Sequence, residues 1–328
     1  MIIDDGSTDG TWKVAQKFSG KKQIEMYRKE IVDNLSNRNA LLKYIMKRGN
    51  YIKEDGGLTI ATPLDYQQNA TYQRYSDWDT LNISQSDVIS SAEYQWRQIA
   101  LNVVASGREL RINSGDSRII NLAKARIKNA LRSFNNNFSS DLYSAGSLTN
   151  QVNGLQALVA DTNTNTVGGI DASAWPFWQN TVISAATLSV TPSATTIENG
   201  LMLPAWLAVD RGPDDQPDLI VSDNNYYQYF EGSQASLKRY TGSDSVSGGF
   251  TTLKYKNADV LYDGNSGIPV NHMYFLNTNY LQLVVHQDAD LQIMDEMRPV
   301  NQDGSVTPIL WMGNLTCSNR KLQAVLKA

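Results

Sequence analysis

Cysteine occurs once in the 328 residues, as Cys317, so no intrachain disulfide can form. Only two histidines stand beside it, His272 and His286, and a zinc site would need carboxylates to complete it. No Walker loop, dinucleotide fingerprint or paired-cysteine motif is present, which removes the usual phosphate, NAD and structural-metal readings. No apolar run approaches the ~18 residues of a membrane-spanning helix, and no secretory leader is read at the start. The expectation is a soluble protein made in a cytoplasm. Charge is scarce too: charged residues make up 19% of the chain, against 41% hydrophobic residues. That balance excludes disorder over the whole length and supplies a sizeable core. At about 100–200 residues per domain, the length suggests two domains, or one core with large excursions.

What fills the surface instead is Asn, Gln, Ser and Thr, suited to many modest contacts with neighbouring proteins. The net charge of −4 excludes nucleic-acid binding by bulk charge. The basic residues are unevenly spread, however. Between Lys13 and Lys53 stand Lys17, Lys21, Lys22, Arg28, Lys29, Arg38, Lys43, Lys47 and Arg48, opposed by Glu25, Glu30 and Asp33. Ile24, Tyr27, Ile31, Leu35, Leu41, Leu42 and Ile45 recur there at helical spacing, predicting one or two basic amphipathic helices over 11–48. Such a face either is merely solvated or meets DNA or a scaffold.

The turn signal Glu54-Asp55-Gly56-Gly57 follows. Strands are predicted over 58–66 and 69–75, with a third extended stretch over 81–105 whose alternation slips phase after Trp96. The stretch between Tyr66 and Ser90 is polar and aromatic with little to bury, the pattern of a long projecting hairpin. Such a hairpin cannot offset its own ordering entropy and needs a neighbour to lie on. Ser114-Gly115-Asp116-Ser117 then caps a long predicted helix, with Ile119, Ile120, Ala123, Ile127, Ala130, Leu131, Phe134, Phe138 and Leu142 on one face and Gly146 as its stop. Arg118, Lys124, Arg126, Lys128 and Arg132 line its polar face. Loop is predicted over 150–169, helix over 195–209 despite Pro204, a buried strand over 218–222 and a helix over 224–237. Strands follow over 251–255, 259–262, 273–276, 281–286, 307–316 and 322–326. The class is α+β with a mostly antiparallel sheet. Cys317, within this late strand pattern, reads as a small buried hydrophobe.

Two motifs suggest catalysis. Ile2-Ile3-Asp4-Asp5-Gly6-Ser7-Thr8-Asp9-Gly10-Thr11 resembles the nucleotide-binding turn of family-two glycosyltransferases, with Asp288 and Asp290 as a conceivable metal pair. The likeness covers ten residues, lacks the strand and helix that should precede the turn, and has its acidic pair far too late. Gly115-Asp116-Ser117 is similar to a hydrolase nucleophile turn, but no His precedes it and a helix cap accounts for it.

The order of elements carries a broader likeness. Glu54-Asp-Gly-Gly-Leu-Thr-Ile60, Ile119-Ile-Asn-Leu-Ala-Lys-Ala-Arg-Ile127, Pro217-Asp-Leu-Ile-Val-Ser-Asp-Asn-Asn-Tyr-Tyr227, Ile268-Pro-Val-Asn-His-Met-Tyr-Phe-Leu-Asn277 and Leu315-Thr-Cys-Ser-Asn-Arg-Lys-Leu-Gln323 follow one another as entry to an extended loop, spine helix, axial strand-to-helix step and closing strands. Over roughly residues 30–328 the chain resembles the major capsid proteins of tailed bacteriophages with the Hong Kong 97-type fold; the Ile2–Thr11 stretch departs from that pattern.

The resemblance implies an N-terminal arm at 1–53, the extended loop (E-loop) with its flanking strands at 54–105, and a peripheral domain with the spine helix at 106–150. It further implies an axial domain at 151–290 and C-terminal strands at 291–328 returning to the peripheral domain. It implies an icosahedral shell built from rings of five and six copies around double-stranded DNA, without catalysis, cofactor or metal. Portal, scaffold and decoration proteins are its expected partners, no membrane is involved, and the virion, assembled in a host cytoplasm, is its expected place. Gly56, Gly57, Tyr66, Tyr72, Tyr75 and Trp78 are the expected E-loop contacts to a neighbouring copy. Lys21, Lys22, Arg28, Lys29, Lys124, Lys128 and Arg132 are the expected inward basic face, holding DNA by charge alone. Some members cross-link copies through a Lys and an Asn. Lys53 is placed for such a donor, but neither acceptor nor catalytic acid can be named. A cellular encapsulin, a compartment of the same fold, is the alternative shell.

Overall fold

A computed structural model describes residues 39–85, 87–112, 116–213, 215–234, 253–263 and 267–328. Most of the basic segment expected as helix, including Lys21, Lys22, Arg28 and Lys29, lies outside the described residues, as do the Asp4-Asp5 turn and the Ser114-Gly115 cap.

The described chain opens with α1 (Ala40–Lys47), whose N-cap Asn39 accepts the Leu42 N–H at 2.8 Å. Gly49, at φ 78°, ends it: the Gly49 and Asn50 N–H groups return to the Met46 and Ile45 carbonyls. That turn aims β1 (Tyr51–Glu54) into a sheet, where a continued helix had been no part of the pattern. A two-stranded hairpin follows, β2 (Ile60–Asp65) with β3 (Ile89–Tyr94), then β4 (Arg97–Ser106), α2 (Gly107–Ile112) and α3 (Asp116–Asp141). At ~1.5 Å per residue the 26 residues of α3 span about 39 Å.

After α3 come α4 (Leu155–Leu158), a small β5 (Thr166–Val167) and β6 (Ile170–Asp171) hairpin, and β7 (Thr181–Ser184). A π-turn over Ile197–Met202 runs into α5 (Leu203–Val209), then β8 (Leu219–Ser222) and α6 (Asn224–Ser233). The rest is β9 (Leu253–Tyr255), β10 (Ala258–Tyr262), β11 (His272–Leu276), β12 (Leu281–His286), β13 (Gln292–Ile293), β14 (Gly304–Cys317) and β15 (Ala324–Lys327).

Two main sheets result. The first runs β1-β12-β14-β13, with β4 paired along the first ten residues of β14, from Gly304↔Ser106 to Gly313↔Arg97. Helix α3 lies on it: Phe138 meets Trp311 edge-on at 4.9 Å and stacks on Phe134. The second runs β7-β15-β11-β8-β10-β9. Its alternation divides two cores. Leu219, Val221, Leu261, Tyr274, Leu276 and Val325 join the larger core shared with the first sheet. Ile220, Val260, Met273, Phe275, Ala324 and Leu326 face the other way, under Trp206 of α5 and Tyr226 and Phe230 of α6. The two C-terminal strands part company: β14 lies in the first sheet and β15 in the second, between β7 and β11.

Several sequence expectations change. No strand forms over 69–75; side-chain bonds to backbone hold that stretch as loop. The stretch over 81–105 contains two strands, because the phase slip at Gln95-Trp96 is where the chain leaves β2 and crosses to β14. The long helix ends at Asp141 rather than near Gly146. The Leu142 carbonyl there accepts the Leu155 N–H at 2.8 Å, and Gly154 presses so close to Ser144 that any side chain would clash. The loop expected over 150–169 contains α4 and the edge of a hairpin. Pro204 is tolerated because the preceding turn is π: the Leu203 N–H bonds the Glu198 carbonyl, five residues back.

Candidate assembly surfaces

The β2–β3 hairpin is anchored at its base and free at its tip. Ile60, Thr62 and Leu64 on β2 and Ala92 and Tyr94 on β3 form its buried face. The Tyr94 hydroxyl donates to the Cys317 carbonyl at 2.9 Å and accepts the Cys317 N–H at 3.3 Å, tying the hairpin to the end of β14. Burial raises the Tyr94 hydroxyl above its ordinary range and pushes the Cys317 thiol up to about 12. The Glu93 N–H bonds the Gly168 carbonyl in the β5–β6 turn at 2.9 Å. Gly168 sits at φ 59°, and a Cβ there would lie 2.8 Å from that of Ala92. Gly57, at φ 115°, turns the chain so that its carbonyl accepts the Trp96 indole N–H at 3.0 Å; Gly56 is exposed beside it.

Tyr66 belongs to this base. Its ring stacks on Phe177 at 5.3 Å and meets Trp175 edge-on at 6.2 Å, both in the same chain. The other three expected contact aromatics do not: Tyr72 is 81%, Tyr75 68% and Trp78 98% exposed. Leu81, Ile83 and Ile89 are exposed with them. The spacing of Leu81 and Ile83 by two in a polar stretch was the signal available for that pair. The tip is nonetheless ordered by its own polar groups. Gln73 donates to the Thr80 carbonyl at 3.0 Å and accepts the Asn82 N–H at 3.0 Å. Asn82 donates to the Ala70 carbonyl, and Asp79 accepts the Ser76 N–H at 2.8 Å.

Two recesses flank the hairpin base. One, of about 430 Å³, is lined by Trp96, Gln98, Trp311 and Met312. The other, of about 260 Å³, is lined by Tyr66, Phe177, Arg211 and Lys321.

The basic residues of α3 are only partly described. Lys128 and Arg132 are exposed, while Lys124 lies where side chains are not described. Arg126 is committed to the fold, bonding Glu109 and the Val104 carbonyl. Lys53 pairs at 2.6 Å with Asp290, which is buried and also accepts the Tyr51 hydroxyl at 2.6 Å. Arg320, fully buried, was missed by sequence reasoning. It donates to the Leu158 and Trp178 carbonyls and to the Asn165 and Asn180 side chains, at 2.7 to 3.1 Å. Burial lowers its pKa. Among the described residues no group of side chains is arranged to hold a metal ion, and no helix is long and apolar enough to cross a membrane.

This architecture has known counterparts. The chain is similar to the subunit of the cyanophage A-1(L) capsid, with a TM-score of 0.60 at 16% identity, covering 90% of this chain and 92% of that one. The chain has the Hong Kong 97-type capsid fold. The capsid of an empty GTA particle gives 0.55 at 12% identity over 85% and 88% of the two chains. The SrpI encapsulin of Synechococcus elongatus PCC 7942 gives 0.52 at 10% identity over 84% of each. No family model matches the sequence, and no curated protein matches it. In the terms of this fold the β2–β3 hairpin and its tip stand where the E-loop is expected, and α3 where the spine helix is expected.

Proposed function

We propose that this chain is the major capsid protein of a tailed bacteriophage, assembling with copies of itself into an icosahedral shell around double-stranded DNA and catalysing nothing. The observation that carries the reading is the near end-to-end match to a phage capsid subunit, 90% of one chain against 92% of the other. The E-loop supports it: its base is bound within the chain, while its tip exposes aromatic surface that a monomer has no use for. Each copy is then held by several neighbours, so modest contacts sum to a stable shell. Tyr72, Tyr75 and Trp78 supply contacts to the adjacent copy, and Gly56 and Gly57 set the angle at which the loop departs. Tyr66 contributes by fixing the loop's root. Lys128 and Arg132 face the packaged DNA and bind it by charge without sequence preference. Portal and scaffold proteins complete the particle, which assembles in the host cytoplasm.

The test is electron microscopy and size-exclusion chromatography of the purified chain. Closed particles, or rings of five and six, are expected; a monomer or dimer across a range of salt concentrations refutes the reading. The encapsulin match supports a second reading, a cellular compartment shell. Particles from the native source settle between them: nuclease-protected double-stranded DNA means a capsid, and enclosed protein without DNA means a compartment.

A further inference from the structure

We propose that the Asp77-Trp78-Asp79 tip of one copy seats in the smaller recess at the hairpin base of the next copy. The inference rests on the shell reading and adds which surface receives the loop.

The knob comes first. Trp78 is 98% exposed at the apex of a turn closed by the Asp79 N–H to the Ser76 carbonyl at 2.9 Å and the Ser76 N–H to the Asp79 carboxylate at 2.8 Å. Asp77 and Asp79 flank the indole, and both are exposed. An ordered turn thus presents an aromatic ring between two carboxylates. Little conformational entropy remains to be lost when it docks.

The hole matches in size, chemistry and charge. At about 260 Å³ it falls below the ~300–1,000 Å³ of small-molecule sites and suits a single large side chain. The stacked Tyr66 and Phe177 rings form one wall, where a third ring can pack edge-on or offset. Arg211 and Lys321 line the other side, both exposed, and neither makes an ion pair with a described residue. Asp65 also lines the recess, so the cations outnumber the acid by one. Among the described residues the larger recess around Trp96 and Trp311 is lined by no charged side chain, so it offers the two aspartates none to meet.

Position explains why the occupant is another copy. The hole is lined where β2 ends at Asp65 and Tyr66, the knob lies at the turn of the loop that follows, and the chain's own Trp78 is 98% exposed rather than folded back into the hole. A tip that fits the base of its own kind makes a head-to-tail contact, and head-to-tail contacts close into rings when the rotation allows.

The experiment is disulfide trapping in the full chain carrying Asp77→Cys and Lys321→Cys. Trp78 is retained, and Cys317 is buried and stays silent. Air oxidation of assembled particles is expected to give a ladder of linked copies on a non-reducing gel. The companion pair, Asp77→Cys with Gln98→Cys, reads the larger recess. A ladder from that pair and none from the first overturns the proposal, as do particles giving no ladder with either; both leave the shell reading standing. If the unaltered chain forms neither particles nor rings, the shell reading fails and the proposal with it. Charge exchange gives a second readout. Asp77→Lys should raise the concentration needed for assembly roughly tenfold, and adding Lys321→Glu should restore most of it. Lack of restoration counts against the pairing.

Discussion

Tyr94 and Trp78 are sixteen positions apart in one hairpin and live in opposite surroundings. Tyr94 is 1% exposed, its hydroxyl bonded both ways to Cys317, while Trp78 is 98% exposed with no partner ring among the described residues. The base of the hairpin has used its apolar surface to fix itself to the body. The tip has used only polar bonds to fix its shape and keeps its apolar surface uncovered. The difference shows that a single element can be built for two purposes. Its root is matched to the fold and its end to something outside it.

Substitutions separate the two purposes, and the largest loss of stability is expected away from both ends. Arg320→Met leaves two carbonyls and two side-chain amide oxygens without their donor, at about 1–3 kcal/mol each, so a loss of roughly 4 kcal/mol or more is expected in denaturant unfolding. Tyr94→Phe keeps the ring and removes the bridge to Cys317, at about 1–2 kcal/mol. Unchanged unfolding there would mean that the base is held by packing alone.

Cys317 reports on the same bridge. With its thiol held at about 12 against an ordinary 8.5, it stays protonated and unreactive toward thiol reagents at pH 8, one thiol appearing only on unfolding. The sign follows: the folded state keeps a proton that the unfolded state loses. The contribution to stability is complete below about pH 8.5 and is lost as pH rises toward 12. Trp78→Ala should move unfolding by less than about 0.5 kcal/mol yet raise the concentration needed for assembly by an order of magnitude or more. A Trp78 variant that unfolds easily and assembles normally would reverse the comparison between base and tip.

Much of this was legible in the sequence, and what was not has a physical cause. The long helix α3, the strand β8 and the closing strands announced themselves by their apolar residues: α3 buries Phe134 and Phe138 on one face, and β8 is buried along its whole length. The hairpin announced itself through aromatic residues in a stretch with nothing to bury them. Its strand limits were misjudged, since tip side chains such as Gln73 and Asn82 bond backbone and mimic no sequence period. Tyr66 read like its neighbours along the chain, and only the fold brings Phe177 and Trp175 beneath it. Nothing in the sequence sets Arg320 apart; its acceptors come from three separate stretches, around Leu158, Asn165 and Trp178 to Asn180. The E-loop contacts and the basic face remain matters of assembly, which one chain's pattern specifies only through the surface it leaves open.

The separation of the last two strands bears on timing. β14 lies between β12 and β4, and β15 lies between β7 and β11. A chain emerging from the ribosome therefore lacks an inner strand of each main sheet until residues 304–327 have been made. The mature hairpin root, which hangs on Cys317, is also missing until then. A chain still in synthesis can neither close its core nor fix its hairpin; on the proposed shell reading, a growing particle is then offered only subunits made at least that far.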